Sequence, residues 1–162
     1  MKIIPKNQGS NEKRTSEYVN NWDTEKTLKN LIKKKNPCIF DIGSNNGSSI
    51  HDFKSWWPDS SIHCFEPQEE CYESIKETAS NFNKGKIHIN MCAAGNISSK
   101  NQTFYTHDIN SGVSGFNKIN INSSDSIKLE NLKQQNDTEV QNYINSLNQN
   151  RKVKVIRLDE YI

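Results

Sequence analysis

Short apolar runs alternate with helical patterns through the first part of the chain. Residues 38–42, 61–65 and 86–92 are runs of strand length, and apolar side chains between them fall at helical spacing, as at Ile50 and Phe53. Strands of a parallel sheet are buried on both faces, so they read as continuous apolar runs. This order of elements predicts a right-handed parallel α/β unit. We expect a Rossmann-like fold with its parallel strands in the spatial order third, second, first.

The regions on either side of this unit have weaker patterns. Residues 1–21 are polar and aperiodic, which predicts a flexible N-terminal arm ahead of one domain over residues 22–162. Asp23 is the predicted N-cap of a first helix, which is expected to end near Asn36. Residues 100–162 form a predicted insertion. Its predicted elements are strands at 102–106 and 152–156 and a helix capped by Asp137.

Composition and charge exclude several classes of function. The 162 residues include 21 basic and 19 acidic ones, and a net charge of +2 is not the signature of a nucleic-acid partner. No apolar stretch has the length of a signal peptide or a membrane span, so we expect a cytoplasmic protein with no membrane partner. The four cysteines form no Cys-x-x-Cys pair and the four histidines show no ligand spacing. We therefore expect reduced thiols and no metal site.

A glycine-rich turn follows the first predicted strand. Asp41, Gly43 and Gly47 form the pattern acidic-x-Gly-x-x-x-Gly between a strand and a helix. Glycine lets the backbone approach a ligand, and the helix start offers free N–H groups. The pattern differs from the Gly-x-Gly-x-x-Gly of nicotinamide dehydrogenases, and its carboxylate suits a cofactor with an ammonium group, such as S-adenosylmethionine. An ordinary strand-to-helix turn is the alternative that so short a pattern leaves open.

Two further positions fall at the ends of the second and third predicted strands. Glu66 lies 19 residues beyond Gly47, close to the spacing at which nucleotide-binding folds carry a ribose carboxylate. Because adjacent strand ends open into one crevice, Glu66 is placed to accept hydrogen bonds from two ribose hydroxyls. Ala93 is small enough to let an adenine lie against the backbone. A solvated loop acid is the alternative for Glu66.

Taken in order, these motifs resemble the FkbM family of S-adenosylmethionine-dependent methyltransferases. The resemblance rests on residues 40–47 (FDIGSNNG), 64–67 (CFEP), 92–95 (CAAG), 110–116 (NSGVSGF) and 153–162, which include Arg157-Leu158-Asp159. Each motif is common by itself, and their order and spacing together are more specific. The resemblance covers residues 37–162. It implies a Rossmann-like methyltransferase fold and methyl transfer to the hydroxyl oxygen of a small molecule or glycan, such as a sugar or natural product.

The same resemblance implies a set of cofactor contacts. The implied residues are Asp41, Gly43 and Gly47 for the methionine portion, Glu66 for the ribose, Ala93 for the adenine, and Ser44, Asn45 and Pro67 beside them. No catalytic residue is assigned. His107, near the serine-glycine loop at 110–116, is the candidate base, and the sequence favours a surface histidine instead.

The family pattern continues into a Lys-Ile-Asp-x-Glu-Gly strand that this sequence does not reach. Two interpretations follow: an active O-methyltransferase, or a truncated, non-catalytic remnant of that fold that binds the cofactor or a partner. The missing strand would lie beside the first strand and would form one wall of the acceptor site. We therefore expect an apolar strand edge that promotes self-association, and little turnover by this chain alone.

Overall fold

The computed structural model describes residues 16–18, 21–108, 111–120 and 137–161. Most of the predicted N-terminal arm lies outside these ranges, as does most of the polar stretch before the last helix. In chain order, the elements are α1 (Thr24–Leu31), β1 (Cys38–Ile42), α2 (Ser48–Trp56), β2 (Ser61–Phe65), α3 (Glu69–Ser80), β3 (Lys86–Asn90), β4 (Ala93–Ala94), β5 (Ser99–Thr106), α4 (Asp137–Ser146) and β6 (Gln149–Ile156).

The first three strands form a parallel sheet in the spatial order β1-β2-β3. In the register of this sheet, Ile39 lies beside Ile62, and Ile62 lies beside Ile87. Helices α2 and α3 connect successive strands, as the alternation of apolar runs and helical patterns predicts. The prediction of three parallel strands in this order is confirmed, and the chain has a mixed α/β fold.

The boundaries of several predicted elements differ from the structure, and the strands predicted from residues 102 and 152 each begin three residues earlier. Asp23 caps α1 by accepting a hydrogen bond from the Lys26 backbone N–H at 2.8 Å, but the helix ends at Leu31 rather than near Asn36. The C-cap residue Ile32, at φ −97° and ψ 87°, is already outside the helical region. The third strand ends two residues earlier than predicted, because a tight turn follows it. After two residues, Ala93 and Ala94 form the short strand β4.

One face of the parallel sheet packs on α2 and α3 to form the main core. Its fully buried members include Ile50 from α2, Ile62 from β2 and Ile75 from α3. Ile87 and Ile89 of β3 pack against the same cluster, which explains their alternation with polar residues. Burying an aliphatic side chain of this size contributes about 1.5–3 kcal/mol, so this cluster fixes the sheet against its helices.

The opposite face of the sheet carries a stack of aromatic and imidazole rings. His63 of β2 stacks on His88 of β3 with ring centroids 4.4 Å apart, and on Phe40 of β1 at 5.1 Å. The Tyr161 hydroxyl lies 2.9 Å from His63 Nδ1. Burial, and then the neighbouring His88, lower the pKa of His63.

Acid is expected to destabilise the chain through His63. Its folded pKa lies below the ordinary value of about 6.5, so between these two values the unfolded chain binds more protons and stability falls as the pH falls. Urea unfolding at pH 7 and at pH 5 measures this loss. His63→Phe is expected to reduce the loss, whereas the matched substitution at exposed His51 is expected to leave it unchanged. Equal acid losses in parent and His63→Phe would contradict this assignment.

The second part of the chain forms another small sheet in the order β4-β6-β5. β4 pairs with β6 in parallel, and β5 pairs with β6 antiparallel. The cluster that this sheet buries consists of Ala93, Phe104, Val153 and Val155. The sheet lies beside the carboxyl end of β3, because only two residues separate β3 from β4.

Strand β1 is an edge strand in the described part of the parallel sheet. Its first residue, Cys38, is exposed. Ile42 at the other end is 50% exposed. Self-association through this edge stays a prediction.

In the described ranges, every helix falls short of the length and apolar character needed to cross a membrane.

Candidate functional site

The carboxyl ends of the three parallel strands are joined by backbone hydrogen bonds. The N–H groups of Gly43 and Ser44 both donate to the carbonyl oxygen of Phe65, at 2.9 and 3.2 Å. The N–H of Glu66 donates to the carbonyl oxygen of Asn90 at 3.1 Å. The turn after β1 is therefore held against the end of β2, and the start of the next loop against the end of β3. Ligands of open α/β sheets bind at such strand ends.

The glycine-rich turn uses its two glycines in different ways. Gly43 has φ +81°, and a Cβ built on it would meet no atom within 4 Å. Gly47 also has φ +81°, but a Cβ there would lie 3.2 Å from Ile50 and 3.3 Å from the backbone of Ile75. Open space therefore lies beside Gly43, whereas Gly47 permits close packing of α2 against α3. Both positions require glycine for their backbone conformation.

Glu66 carries a buried carboxylate at the end of β2, with 5% of the residue exposed. Its Oε2 accepts a hydrogen bond from the backbone N–H of Asn45 at 2.9 Å. Its Oε1 accepts from the backbone N–H of Gln68 at 2.9 Å and from the side-chain amide of Gln68 at 3.2 Å. Its burial and its two backbone N–H partners remove the solvated-loop alternative for this residue.

The serine-glycine loop forms the opposite wall of the site. Gly115 and Tyr105 of β5 exchange two backbone hydrogen bonds of 2.8 and 2.9 Å, which fix the end of the loop to the second sheet. At its other end, the Ser111 hydroxyl accepts from the side-chain amide of Asn45 at 2.8 Å. The loop therefore spans from the second sheet to the glycine-rich turn.

These elements enclose a cavity of about 310 Å³. Cavities of about 300–1,000 Å³ are typical of small-molecule sites, so this one falls at the lower end of that range. It is lined by Ile42, Gly43, Asn45, Phe65, Glu66, Pro67, Gln68, Ala93, Ala94, Phe104, Ser111, Gly112, Ser114, Gly115 and Phe116. Its walls are mainly apolar, with a few convergent polar groups around the Glu66 carboxylate.

The structure brings most of the predicted cofactor residues to this cavity and sets others behind it. Those that line it are Gly43, Asn45, Glu66, Pro67 and Ala93. Asp41, Ser44 and Gly47 do not. Asp41 accepts a hydrogen bond from the Ser49 hydroxyl of α2 at 2.6 Å, and the buried Ser44 hydroxyl donates to the Asp41 carbonyl at 2.9 Å. These two side chains stabilise the turn from behind.

His107 lies away from the cavity walls. It is only 3% exposed, so the prediction of a surface histidine is wrong. Its ring lies against Tyr143 with centroids 5.2 Å apart, and its backbone N–H donates to the Ser114 hydroxyl at 3.2 Å. The residue thus contacts the serine-glycine loop through its backbone, and the ring packs on α4.

The cysteines near the site are protonated thiols at neutral pH. Burial raises the pKa of Cys64 to about 11. Burial and the Glu66 carboxylate raise the pKa of Cys71. Since the thiolate is the nucleophilic form, neither side chain suits covalent catalysis. Among the described residues, no cluster of histidine, cysteine, aspartate or glutamate could hold a metal ion.

A second, larger cavity of about 510 Å³ lies where β6 and Tyr161 approach the end of β3. Its charged lining residues are Lys100, Lys154, Arg157 and Glu160. Arg157 already pairs with Asp159. None of the predicted site residues line this cavity, and the buried carboxylate faces the smaller one, which is therefore the better candidate.

Sequence reasoning missed several residues of the site. Gln68, Ser114, Phe104 and Phe116 all line the cavity, and none was singled out for a role. Gln68 lies two residues after Glu66, and this proximity is the one signal that was available. Its partners in the serine-glycine loop are 43 and 46 residues away, and no local pattern predicts such contacts.

Comparison of the chain with protein-family models and with curated proteins gave no match. A function for this chain must therefore be argued from the geometry of the cavity and from the motifs that surround it.

Proposed function

We propose that this chain binds S-adenosylmethionine at the carboxyl ends of β1, β2 and β3 and is a methyltransferase of the FkbM type, acting on a hydroxyl oxygen of a small molecule or glycan. The observation that carries the proposal is the buried Glu66 carboxylate facing a cavity that Gly43 also lines. A carboxylate at the end of the second strand and a glycine at the end of the first is the arrangement that nucleoside cofactors use in this class of sheet.

The residues of the cavity fit the parts of this cofactor. A carboxylate accepts hydrogen bonds from ribose hydroxyls, and Glu66 lines the cavity. Open space beside the Gly43 backbone suits a ligand that approaches the main chain closely. Ala93, Phe104 and Phe116 supply apolar surface suited to the flat face of a purine.

When bound, S-adenosylmethionine supplies a methyl group activated on a sulfonium sulfur. The role of the protein is to bind the cofactor and to orient it. Glu66 would hold the ribose, the turn from Gly43 to Gly47 the methionine portion, and Ala93 the adenine. The negative charge of Asp41, held by Ser49, would favour a cationic ammonium group near the turn. Alignment of this kind can lower the barrier of a displacement reaction by about 7–11 kcal/mol.

A second candidate function is cofactor binding without turnover. Deprotonation of a hydroxyl acceptor needs a base within hydrogen-bond reach. Glu66 is the one titratable side chain among the described residues that line the cavity, and its carboxylate already accepts three hydrogen bonds. His107 is buried away from the cavity. This observation favours the non-catalytic alternative for the chain alone.

Glu66→Ala is expected to weaken binding of S-adenosylhomocysteine by about 1.5–3 kcal/mol, or about 10–150-fold, because a hydrogen bond to a charged acceptor is lost. Isothermal titration calorimetry on the whole chain measures the change. Glu69→Ala is the matched control, since Glu69 is exposed on α3 and is expected to leave affinity unchanged. Equal affinity in both variants would mean that the nucleoside site lies elsewhere.

A turnover assay separates the two candidate functions. Release of S-adenosylhomocysteine is measured with a panel of sugar and polyketide hydroxyl acceptors. Saturable binding with acceptor-dependent release supports the methyltransferase. Saturable binding without release above the rate in the absence of acceptor supports the binding-only alternative.

A further inference from the structure

Gln68 links the Glu66 carboxylate to the opposite wall of the cavity. Gln68 is only 4% exposed, and its side-chain amide makes three hydrogen bonds. Nε2 donates to Glu66 Oε1 and to the Ser111 carbonyl oxygen, each at 3.2 Å. Oε1 accepts from the Ser114 hydroxyl at 2.9 Å. Both N–H donors of this buried amide and one of the two acceptor positions on its oxygen are thus used on the walls of the site.

These contacts determine how much of Glu66 is available to a ligand. An ionised carboxylate offers about four acceptor positions, two on each oxygen. On Oε1, both are used by the backbone and side-chain N–H groups of Gln68. On Oε2, one is used by the Asn45 backbone N–H. Among the described contacts, one acceptor position remains, on Oε2, whereas the two adjacent hydroxyls of a ribose would need two.

We propose that Gln68 is a positioning residue that leaves a single acceptor position on Glu66, so that the site recognises one hydroxyl of a ribose diol strongly and the other weakly. This inference rests on the proposed nucleoside cofactor. The Gln68 side chain lies against Oε1 and occupies the position that the second hydroxyl would take. Removal of its amide frees that position, while the backbone N–H of Gln68 still holds Oε1.

The test compares S-adenosylhomocysteine with its 2′-deoxy and 3′-deoxy analogues by calorimetry, on the full-length parent and on Gln68→Met. In the parent, loss of one hydroxyl is expected to weaken binding about tenfold or more, and loss of the other less than about threefold. In Gln68→Met, both losses are expected to exceed about tenfold. Each ratio compares ligands on the same protein, so a general effect on loop order or stability cancels.

Two further variants separate this role from a merely structural one. Ser114→Ala loosens the loop but leaves the amide of Gln68 on Glu66, so the unequal ratios are expected to persist. Gln141→Met, at an exposed position of α4, is the matched control and is also expected to keep them.

If removal of either hydroxyl weakens binding to the parent by the same factor, the inference is overturned, even if Gln68→Met does not fold. The inference is also overturned if the two factors differ in the parent and Gln68→Met leaves both of them unchanged. Failure of all three ligands to bind the parent would overturn the proposed function and this inference with it.

Discussion

Replacing Gly43 with leucine is expected to weaken binding of S-adenosylhomocysteine by about a hundredfold or more. The leucine side chain would compete with the ligand for the same space, and overpacking of this kind costs about 1–3 kcal/mol in addition to the ligand contacts that are lost. Gly43 lines the cavity, and a Cβ built on it would meet no protein atom within 4 Å. The added side chain would therefore extend into the space that the ligand needs. The core of the protein would be left intact.

Gly43→Ala separates the steric effect from backbone strain. Both variants require an L-residue at φ +81°, which costs about 1–2 kcal/mol of stability. The alanine variant adds only one methyl group to the cavity, so its affinity is expected to lie between those of the parent and the leucine variant. Far-UV circular dichroism and urea unfolding check that both variants fold. Parent-like affinity in a folded Gly43→Leu would contradict the assignment of the cavity.

Gly85→Ala is expected to be the most damaging single-methyl change, with a loss of about 2–5 kcal/mol in the free energy of unfolding from strain and overpacking together. Gly85 has φ +66°, and a Cβ there would lie 2.2 Å from the Ser60 carbonyl oxygen and 2.6 Å from Lys54 Nζ. Backbone atoms cannot yield as a flexible side chain can. The segment before β3 would have to separate from the segment before β2.

The contact that Gly85 permits is built on a buried lysine. Lys54 of α2 is 3% exposed, and its ammonium donates to the carbonyl oxygens of Pro58, Ser60 and Lys84 at 3.3, 2.8 and 2.9 Å. All three of its N–H donors are thus used, which offsets part of the cost of burying the charge. Burial lowers the pKa of Lys54.

Gly43→Ala is also the matched control for Gly85→Ala. Both substitutions place alanine at positive φ, but only the second meets protein atoms. The difference between the two free energies of unfolding, measured in urea, isolates the clash. Equal losses in the two variants would show that the close approach at Gly85 is not important to stability.

The parallel sheet was predictable because its signals are local. Apolar runs of strand length, each followed by a helical pattern, determine the strands and the connections between them. The position of Glu66 followed from the same reasoning, because a residue directly after a parallel strand falls at the ligand-binding edge. The exposure of Cys38 fits the same strand order, which leaves the first strand at an edge of the described part of the sheet.

The polar contacts around the site depend on residues far apart in sequence. Gln68 meets Ser111 and Ser114 only because the serine-glycine loop, which Gly115 ties to β5, reaches the ends of the parallel strands. Lys54 lies one helical turn after Ile50 on the buried side of α2, and its ammonium is accommodated there because the carbonyl oxygens of two loops surround it. Periodicity describes one element at a time, so contacts between distant segments need coordinates.

The central claim is that the cavity at the strand ends is a nucleoside cofactor site organised around Glu66. Isothermal titration of the full chain with S-adenosylhomocysteine tests it most directly. We expect a saturable 1:1 isotherm in the parent that Glu66→Ala weakens about 10–150-fold and that Glu69→Ala leaves unchanged. The absence of saturable heat up to about 1 mM ligand, which corresponds to less than about 4 kcal/mol of binding free energy, would contradict it.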